Sequence, residues 1–197
     1  MYPKSIRDLI DCFKYLPGIG DKSAERMTFS MLNLPAEKIN EFINTITNIR
    51  DNVKKCEICG NLCEDNICNI CSNLSRNKKI IFVVEKAKDI YLFEKLGIYN
   101  GVYHVLDGLI SPIDGIHPED LKINELKERI KNDNVEEIIL ALKPSIEGET
   151  TMQYLKKILS DFNVKISKIA TGVPLGMDME YIDTLTLELA LEERKDI

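Results

Sequence analysis

Two pairs of cysteines stand at the spacing of metal ligands. Cys56 and Cys59 form one Cys-x2-Cys pair, Cys68 and Cys71 form a second, and eight residues separate the two pairs. Each pair can form a tight turn that directs two thiolates at one ion, and two such turns complete a tetrahedron around zinc. Four sulfur ligands leave no open position for a substrate, so the spacing predicts one structural Zn²⁺ per chain. Cys63 belongs to neither pair, and we do not count it as a ligand.

A glycine-containing turn between two predicted helices has the pattern of a phosphate-binding hairpin. It reads Leu-Pro-Gly-Ile-Gly at 16–20 and is followed by Lys22 and Arg26. Gly18 and Gly20 leave backbone N–H groups accessible at a helix N-terminus, where a phosphate oxygen can bind. Lys22 and Arg26 lie four residues apart on one helix face and can reach neighbouring phosphates without reading sequence. The alternative is an ordinary helical turn with two solvated basic side chains.

Three glutamates follow predicted strands in the later part of the chain. Glu85 ends the strand at 80–84, and Glu147 and Glu149 follow the strand at 137–142. Carboxylates at the carboxyl ends of parallel strands can bind Mg²⁺, which prefers oxygen ligands. However, the later strand ends without an Asp-x-Asp pair and is followed by a lysine. The alternatives are therefore solvated carboxylates or a magnesium-dependent catalytic site.

The elements that must position these residues fall into three segments. Residues 4–55 show the apolar period of helices, with Asp21 placed to cap the second one. Residues 56–79 contain too few large apolar side chains for a core of their own, so a bound metal or another cross-link must stabilise their fold. From residue 80, strands alternate with helices, which predicts a parallel sheet covered by helices. The predicted strands are 80–84, 102–105, 137–142 and 164–170, and the predicted helices are 87–96, 121–130 and 150–159. The tail alternates like a strand, but its composition favours a helix.

Composition limits the class of protein. The 197 residues are 44% hydrophobic and carry a net charge of −6. Their longest apolar runs are far shorter than the roughly 20 residues of a membrane helix, and the N-terminal residues lack the pattern of a signal peptide. We therefore expect a reducing, cytoplasmic environment, in which clustered cysteines bind metal. Residues 1–79 carry 12 basic and 10 acidic groups, whereas residues 80–197 carry 14 and 22. This distribution argues against coating nucleic acid by bulk charge but allows a local site in the first segment.

Taken together, these motifs resemble the RecR family of bacterial recombination mediator proteins over nearly the whole chain. The resemblance covers the hairpin and the cysteine cluster and continues through the later part of the chain. The later motifs are Tyr-His-Val-Leu at 103–106, Ser-Pro at 111–112, Glu-Gly-Glu at 147–149 and Gly-Val-Pro at 172–174.

The resemblance implies a fold of the α+β multidomain class. It comprises a helix-hairpin-helix DNA-binding domain at 1–55, a four-cysteine zinc finger at 56–72, an α/β Toprim domain with a parallel sheet at 79–174, and a helical C-terminal tail at 175–197. Glu85 matches the Toprim glutamate, while the catalytic Asp-x-Asp is missing, as it is in the RecR family.

The resemblance also implies a function. RecR-family members are non-enzymatic mediators of recombinational DNA repair that form a ring-like tetramer around DNA and act with RecO or RecF to load recombinase on single strands. By analogy, the hairpin with Lys22 and Arg26 faces DNA, and Glu85, Glu147 and Glu149 lie on the partner-binding surface. We expect such a protein at the nucleoid.

Two other functions remain open. One is a magnesium-dependent Toprim nuclease or primase-like enzyme that uses the three glutamates, and the other is a zinc-stabilised interaction module without DNA affinity. The sequence also departs from the usual family residues at six positions. These are Cys63, Asp107, Leu109, His117, Lys143 and Met177.

Overall fold

A computed structural model describes residues 2–170, 172–192 and 194, which fall into two compact units, Met1–Val53 and Lys54–Ile197. We describe each unit by itself. The first contains the helices α1 (Lys4–Lys14), α2 (Asp21–Leu32) and α3 (Ala36–Asn52). The second contains, in chain order, β1 (Lys54–Lys55), β2 (Leu62–Cys63), α4 (Asn69–Ser72), β3 (Asn77–Val84), α5 (Ala87–Glu94), β4 (Gly101–Val105), α6 (Ile123–Asn132), β5 (Glu137–Ala141), α7 (Ile146–Ile158), β6 (Lys165–Lys168) and α8 (Thr184–Glu192).

The start of α2 differs in detail from the prediction. The sequence predicts Asp21 as the cap of this helix, but Asp21 is the first helical residue, and Gly20 occupies the cap position without a side-chain hydrogen bond. A capping side chain must belong to the residue before the first helical one, because that residue has extended dihedral angles. The Asp21 carboxylate instead pairs with Lys14 Nζ at 3.0 Å.

The N-terminal unit buries few of its apolar side chains. Ala24 and Thr28 of α2 are buried, whereas α1 and α3 bury none of their residues. The predicted apolar stripes of these helices line an open groove of about 670 Å³. The apolar period of the sequence is therefore present in the helices, but within this unit the apolar side chains stay in contact with water.

Four parallel strands form the sheet of the C-terminal unit, in the order β4-β3-β5-β6. Ile81 of β3 pairs with Val102 of β4 on one side and Ile138 of β5 on the other, and Ile138 pairs with Ile166 of β6. The predicted α/β architecture is confirmed. A helix connects each of these strands to the next and returns the chain to the end of the sheet where the strands begin, as parallel pairing requires.

The two faces of the sheet contact different layers. Ile81 and Val83 of β3 face a core that includes Leu126 of α6 and Leu155 of α7. The residues between and after them, Phe82 and Val84, point the other way because side chains alternate along a strand. On that face they pack with α5 and with the four cysteines of the predicted zinc site.

The last two helices correct one part of the prediction and confirm another. α7 begins at Ile146 rather than at residue 150, because the Ser145 hydroxyl accepts a hydrogen bond from Gly148 N–H and caps the helix earlier. The tail forms α8, as its composition indicated. None of the helices in the described ranges is both long and apolar enough to cross a membrane.

His104 of β4 is the one buried histidine of the described chain. Its Nε2–H donates to the Lys122 carbonyl at 2.7 Å, and Arg129 Nη1 lies 3.4 Å from Nδ1, so the ring fits as the neutral Nε2–H tautomer. Burial, reinforced by the positive charge of Arg129, lowers the pKa of His104 to about 4. Protonation would bury a second positive charge beside Arg129.

This environment predicts a stability that falls in mild acid. The unfolded chain takes up a proton on His104 near its ordinary pKa, while the folded chain resists it, so the stabilisation is present above that pKa and is lost as the pH falls toward about 4. We expect about 1 kcal/mol of lost stability between about pH 7.5 and about pH 5.5 from this group. Urea unfolding of the zinc-loaded protein and of His104→Gln at both pH values measures it as the difference between their pH dependences. Equal pH dependences would contradict the assignment.

Candidate metal centre and nucleic-acid interface

The four cysteines predicted as zinc ligands converge on one point. The sulfur atoms of Cys56, Cys59, Cys68 and Cys71 all lie within 4.8 Å of one another, and all four residues are buried. The Cys59 and Cys68 sulfurs are 3.6 Å apart, close to the roughly 3.8 Å expected between ligands of a tetrahedral ion with Zn–S bonds of about 2.3 Å. The cluster therefore fits one structural zinc ion.

Backbone turns hold the sulfurs in place. Gly60 N–H donates to the Cys56 carbonyl at 2.9 Å, which closes the first turn, and the turn requires a φ of +77° that glycine adopts without strain. Asn61 N–H donates to Cys59 Sγ at 3.4 Å, and Cys68 N–H donates to Cys56 Sγ at 3.3 Å. Such N–H donors favour the thiolate form that a metal binds.

The protonation of the cluster is consistent with a metal site. Hydrogen bonds with Cys68 and Cys71, reinforced by burial, raise the pKa of Cys59, whereas hydrogen bonds from Cys59 and Cys71 lower the pKa of Cys68. Four thiolates require a cation at their centre, and bound zinc would supply it and replace the protons.

Cys63 lies outside this cluster, as its spacing indicated. It is partly exposed, and its thiol donates to the Asp65 carbonyl at 2.8 Å. Burial, followed by the neighbouring sulfurs of Cys56 and Cys68, raises the pKa of Cys63. A thiol with a raised pKa and its own acceptor is a poor competitor for the metal.

The hairpin predicted to bind phosphate exposes its backbone donors. Ile19 N–H donates to the Leu16 carbonyl at 3.1 Å and closes the turn, and Gly18 has a φ of +81°. The backbone N–H groups of Gly18 and Gly20 make no hydrogen bond within the described ranges, and α2 has no side-chain cap. Both glycines are exposed and lie just before α2, and unpaired N–H groups at a helix N-terminus are the arrangement that binds anions.

The basic side chains beside the hairpin differ in their pairing. Lys14 is bound by Asp11 at 3.1 Å and by Asp21 at 3.0 Å. Lys22 and Arg26 form no ion pair with any residue that the structure describes, and neither side chain is buried. The two side chains that the sequence singled out are thus available to an external anion.

The three glutamates at the carboxyl end of the sheet do not gather into one metal site. Glu147 and Glu149 share the first turn of α7, whereas Glu85 follows β3 and pairs with Lys86 at 3.0 Å. Hydrogen bonds from its own backbone N–H and from Ser145 lower the pKa of Glu147. Among the described residues, the cysteine cluster is the one group of potential ligands that converges closely enough for a metal.

Four protein-family models match successive parts of the chain. They describe a RecR helix-hairpin-helix at residues 6–50, a RecR zinc finger domain with four cysteines at 53–73, a Toprim domain at 79–170 and a RecR C-terminal segment at 172–195. Three of the four are specific to RecR, and together they follow the order of the segments seen in the structure. The chain belongs to the RecR family.

Membership in the RecR family assigns the cysteine cluster and the sheet to known parts of one kind of protein. It assigns the chain to DNA recombination and repair, and it identifies the cysteine cluster as the family's zinc finger. It also identifies the four-stranded parallel sheet as a Toprim domain. The zinc prediction made from cysteine spacing is confirmed.

Two contacts at these sites were not predicted from the sequence. Lys55 pairs with Asp107 at 2.6 Å, which ties the zinc finger to the loop after β4. Gly148 lies so close to the preceding loop that a Cβ there would be 1.9 Å from the Lys143 carbonyl oxygen. The Glu-Gly-Glu motif at 147–149 was a signal for the second, but the contact that explains it is visible only in three dimensions.

The cluster predicts how metal content responds to substitution. Cys59→Ser should lose zinc and unfold the finger, because three thiolates and a hydroxyl hold Zn²⁺ much more weakly than four thiolates. Cys63→Ser is the matched control and should retain one zinc per chain. Elemental analysis of the purified proteins, with thermal unfolding before and after chelation, measures both effects. Zinc loss in Cys63→Ser, or an unchanged melting temperature after complete chelation, would contradict the four-cysteine site.

Proposed function

We propose that this chain is a non-enzymatic recombination mediator that binds DNA as an oligomeric clamp at the nucleoid. With RecO- and RecF-type partners, it would promote the loading of recombinase onto single-stranded DNA. The observation that carries this proposal is the hairpin at 16–20, whose free backbone N–H groups lie beside Lys22 and Arg26, neither of which pairs with a described residue. This arrangement binds phosphates without reading bases, as a mediator that acts on any sequence requires.

The exposed groove of the N-terminal unit supports an oligomer. Phe42, Ile43 and Ile46 of α3 are each about half exposed and line the groove together with Phe13 and Leu16. Such an apolar surface is covered in most stable proteins, and a second copy with the same surface can cover it. One hairpin with two basic side chains binds DNA weakly, so joining several hairpins in a tetramer would raise the affinity through multivalency.

The acidic part of the chain supports a surface for protein partners. Residues 80–197 carry 14 basic and 22 acidic groups, and Glu147 and Glu149 lie together in one helical turn at the carboxyl end of the sheet. A surface of this charge repels the DNA backbone and attracts basic protein surfaces. We propose that Glu85, Glu147 and Glu149 contribute to the binding of the partner proteins.

The arrangement of the glutamates favours this role over catalysis. A magnesium-dependent nuclease or primase-like enzyme needs several carboxylate oxygens around one ion. Glu85 pairs with Lys86, and the loop after β5, residues 142–145, contains Lys143 and no acidic residue. DNA cleavage or synthesis with Mg²⁺ that is lost in Glu85→Ala would overturn the non-enzymatic part of the proposal.

The DNA-binding prediction concerns the two basic side chains of α2. The double variant Lys22→Ala, Arg26→Ala should bind fluorescein-labelled DNA about tenfold or more weakly at low salt, and its affinity should depend less on salt, because it releases fewer counterions. Fluorescence anisotropy over a range of salt concentrations measures both quantities.

A matched control uses two other basic residues of the same unit. Lys4→Ala with Arg7→Ala removes the same charge from α1 and should change the affinity by less than about threefold. Equal losses in the two double variants would show that only the net charge matters, and this result would refute binding at the hairpin.

The groove predicts an oligomer that depends on α3. The wild-type chain should form a tetramer in light-scattering measurements during size exclusion. Phe42→Glu with Ile46→Glu should reduce its mass, because burying two charges in an apolar interface costs on the order of 3 kcal/mol or more. Lys38→Glu on the same helix is the control. A monomeric wild-type protein would contradict the clamp.

A further inference from the structure

Tyr15 is an exposed aromatic side chain directly before the hairpin. It follows the last residue of α1 and is 81% exposed. Its backbone is fixed, because its N–H donates to the Cys12 carbonyl at 3.2 Å and its dihedral angles remain helical. Within the described residues the ring makes no contact with another aromatic side chain. A large apolar ring that projects into solvent from a fixed backbone is a feature that the core does not explain.

The apolar groove of the N-terminal unit does not explain Tyr15 either. At about 100° per residue, Tyr15 lies about 180° around α1 from Ile6 and about 160° from Phe13. It is therefore on the opposite side of the helix from the apolar stripe, and it is not among the residues that line the groove. Covering the groove itself therefore does not require contact with this ring.

Tyr15 is close to the donors proposed to hold phosphate. Gly18 is three positions further along the chain, so the two Cα atoms are at most about 11 Å apart. The turn between them is closed by Ile19 N–H donating to the Leu16 carbonyl at 3.1 Å. A base attached to a bound phosphate, or to the next phosphate along the strand, reaches a comparable distance. The ring and the backbone donors thus border the same end of the unit.

We propose that Tyr15 stacks on an unpaired base of the strand whose phosphates the hairpin holds. This inference rests on the proposed DNA-binding function and names its preferred substrate, which is DNA with unpaired bases. In a duplex each base face is covered by its neighbours, so stacking requires a single strand or a frayed junction. Aromatic stacking tolerates every base, because each has a π face, and therefore adds affinity without sequence preference.

The two parts of the site have separate consequences. Phosphate binding by the hairpin, Lys22 and Arg26 does not distinguish single strands from duplex, because both present phosphates. Stacking on Tyr15 would strengthen binding to the single strand alone, by about fivefold to 150-fold for one base. The difference between the two affinities is the quantity that Tyr15 controls.

The test compares three labelled DNA molecules of equal length, each of about 20 nucleotides per strand. They are oligothymidylate, a duplex, and a strand with abasic sugars in place of bases. Fluorescence anisotropy gives their affinities for the full-length wild type, Tyr15→Ala and Tyr15→Phe. Tyr91→Ala, which removes a half-exposed tyrosine from α5, is the matched control. Light scattering gives the mass of each protein.

Tyr15→Ala should weaken binding to oligothymidylate at least about fivefold and leave the duplex and abasic affinities unchanged. Tyr15→Phe should bind like the wild type, because a phenyl ring also stacks, and so should Tyr91→Ala. A loss in Tyr15→Ala that is equal for all three DNA molecules would overturn the proposal and show that Tyr15 shapes the hairpin. A changed mass with unchanged DNA affinities would also overturn it and identify a contact between protein chains.

These results are distinct from a failure of the proposed function. If the wild type binds none of the three molecules at low salt, DNA binding itself is refuted, and the stacking proposal with it. If it binds all three and Tyr15→Ala binds them like the wild type, only the stacking proposal is refuted.

Discussion

In the C-terminal unit, the backbone turn that carries two of the four cysteines also covers one edge of the sheet, and this contact joins the metal site to the sheet. β4 is an edge strand, and an uncovered edge presents backbone groups that can pair with other chains. The zinc finger covers its end, since Val105 N–H donates to the Cys59 carbonyl at 2.8 Å. A Cβ on Gly60 would lie 3.1 Å from Val105 Cβ, so glycine permits the close approach. The ligand turn that holds the metal therefore also completes the sheet.

A largely buried ion pair fixes the segment that joins the finger to the sheet. Arg76 pairs with Glu94 of α5 and donates to the carbonyls of Tyr99 and Gly101, each at 3.3 Å. The Tyr103 hydroxyl donates to the same glutamate at 2.7 Å, and hydrogen bonds from Arg76, then from Tyr103, lower the pKa of Glu94. Because each of these charges has several partners, the segment between Ser72 and β3 has one favoured position. The finger and the Toprim sheet thus form one structural unit.

The sequence predicted the features that depend on local spacing. The Cys-x2-Cys pairs identified the metal ligands, and the alternation of apolar runs identified the parallel sheet, because both patterns are set within a few residues. The start of α7 was wrong by four residues, since it depends on the Ser145 cap and on the approach of Gly148 to Lys143. Likewise, Asp107 adopts a φ of +68°, which an aspartate tolerates. Its carboxylate is held by Lys55 from a segment 52 residues away, a contact that no local pattern contains.

An acidic chain can bind DNA when its few available cations and its exposed apolar surface occur in the same unit. The helices of residues 1–53 leave an apolar groove open, and the hairpin between α1 and α2 is followed by Lys22 and Arg26, which have no ion-pair partner in the described part of the chain. In the proposed clamp, covering the groove with further copies would stabilise the unit and at the same time multiply the hairpins. The excess of acidic groups lies in residues 80–197, where it would repel DNA and limit the proposed binding to the hairpins. In this proposed arrangement the net charge of −6 would restrict where DNA binds without preventing binding.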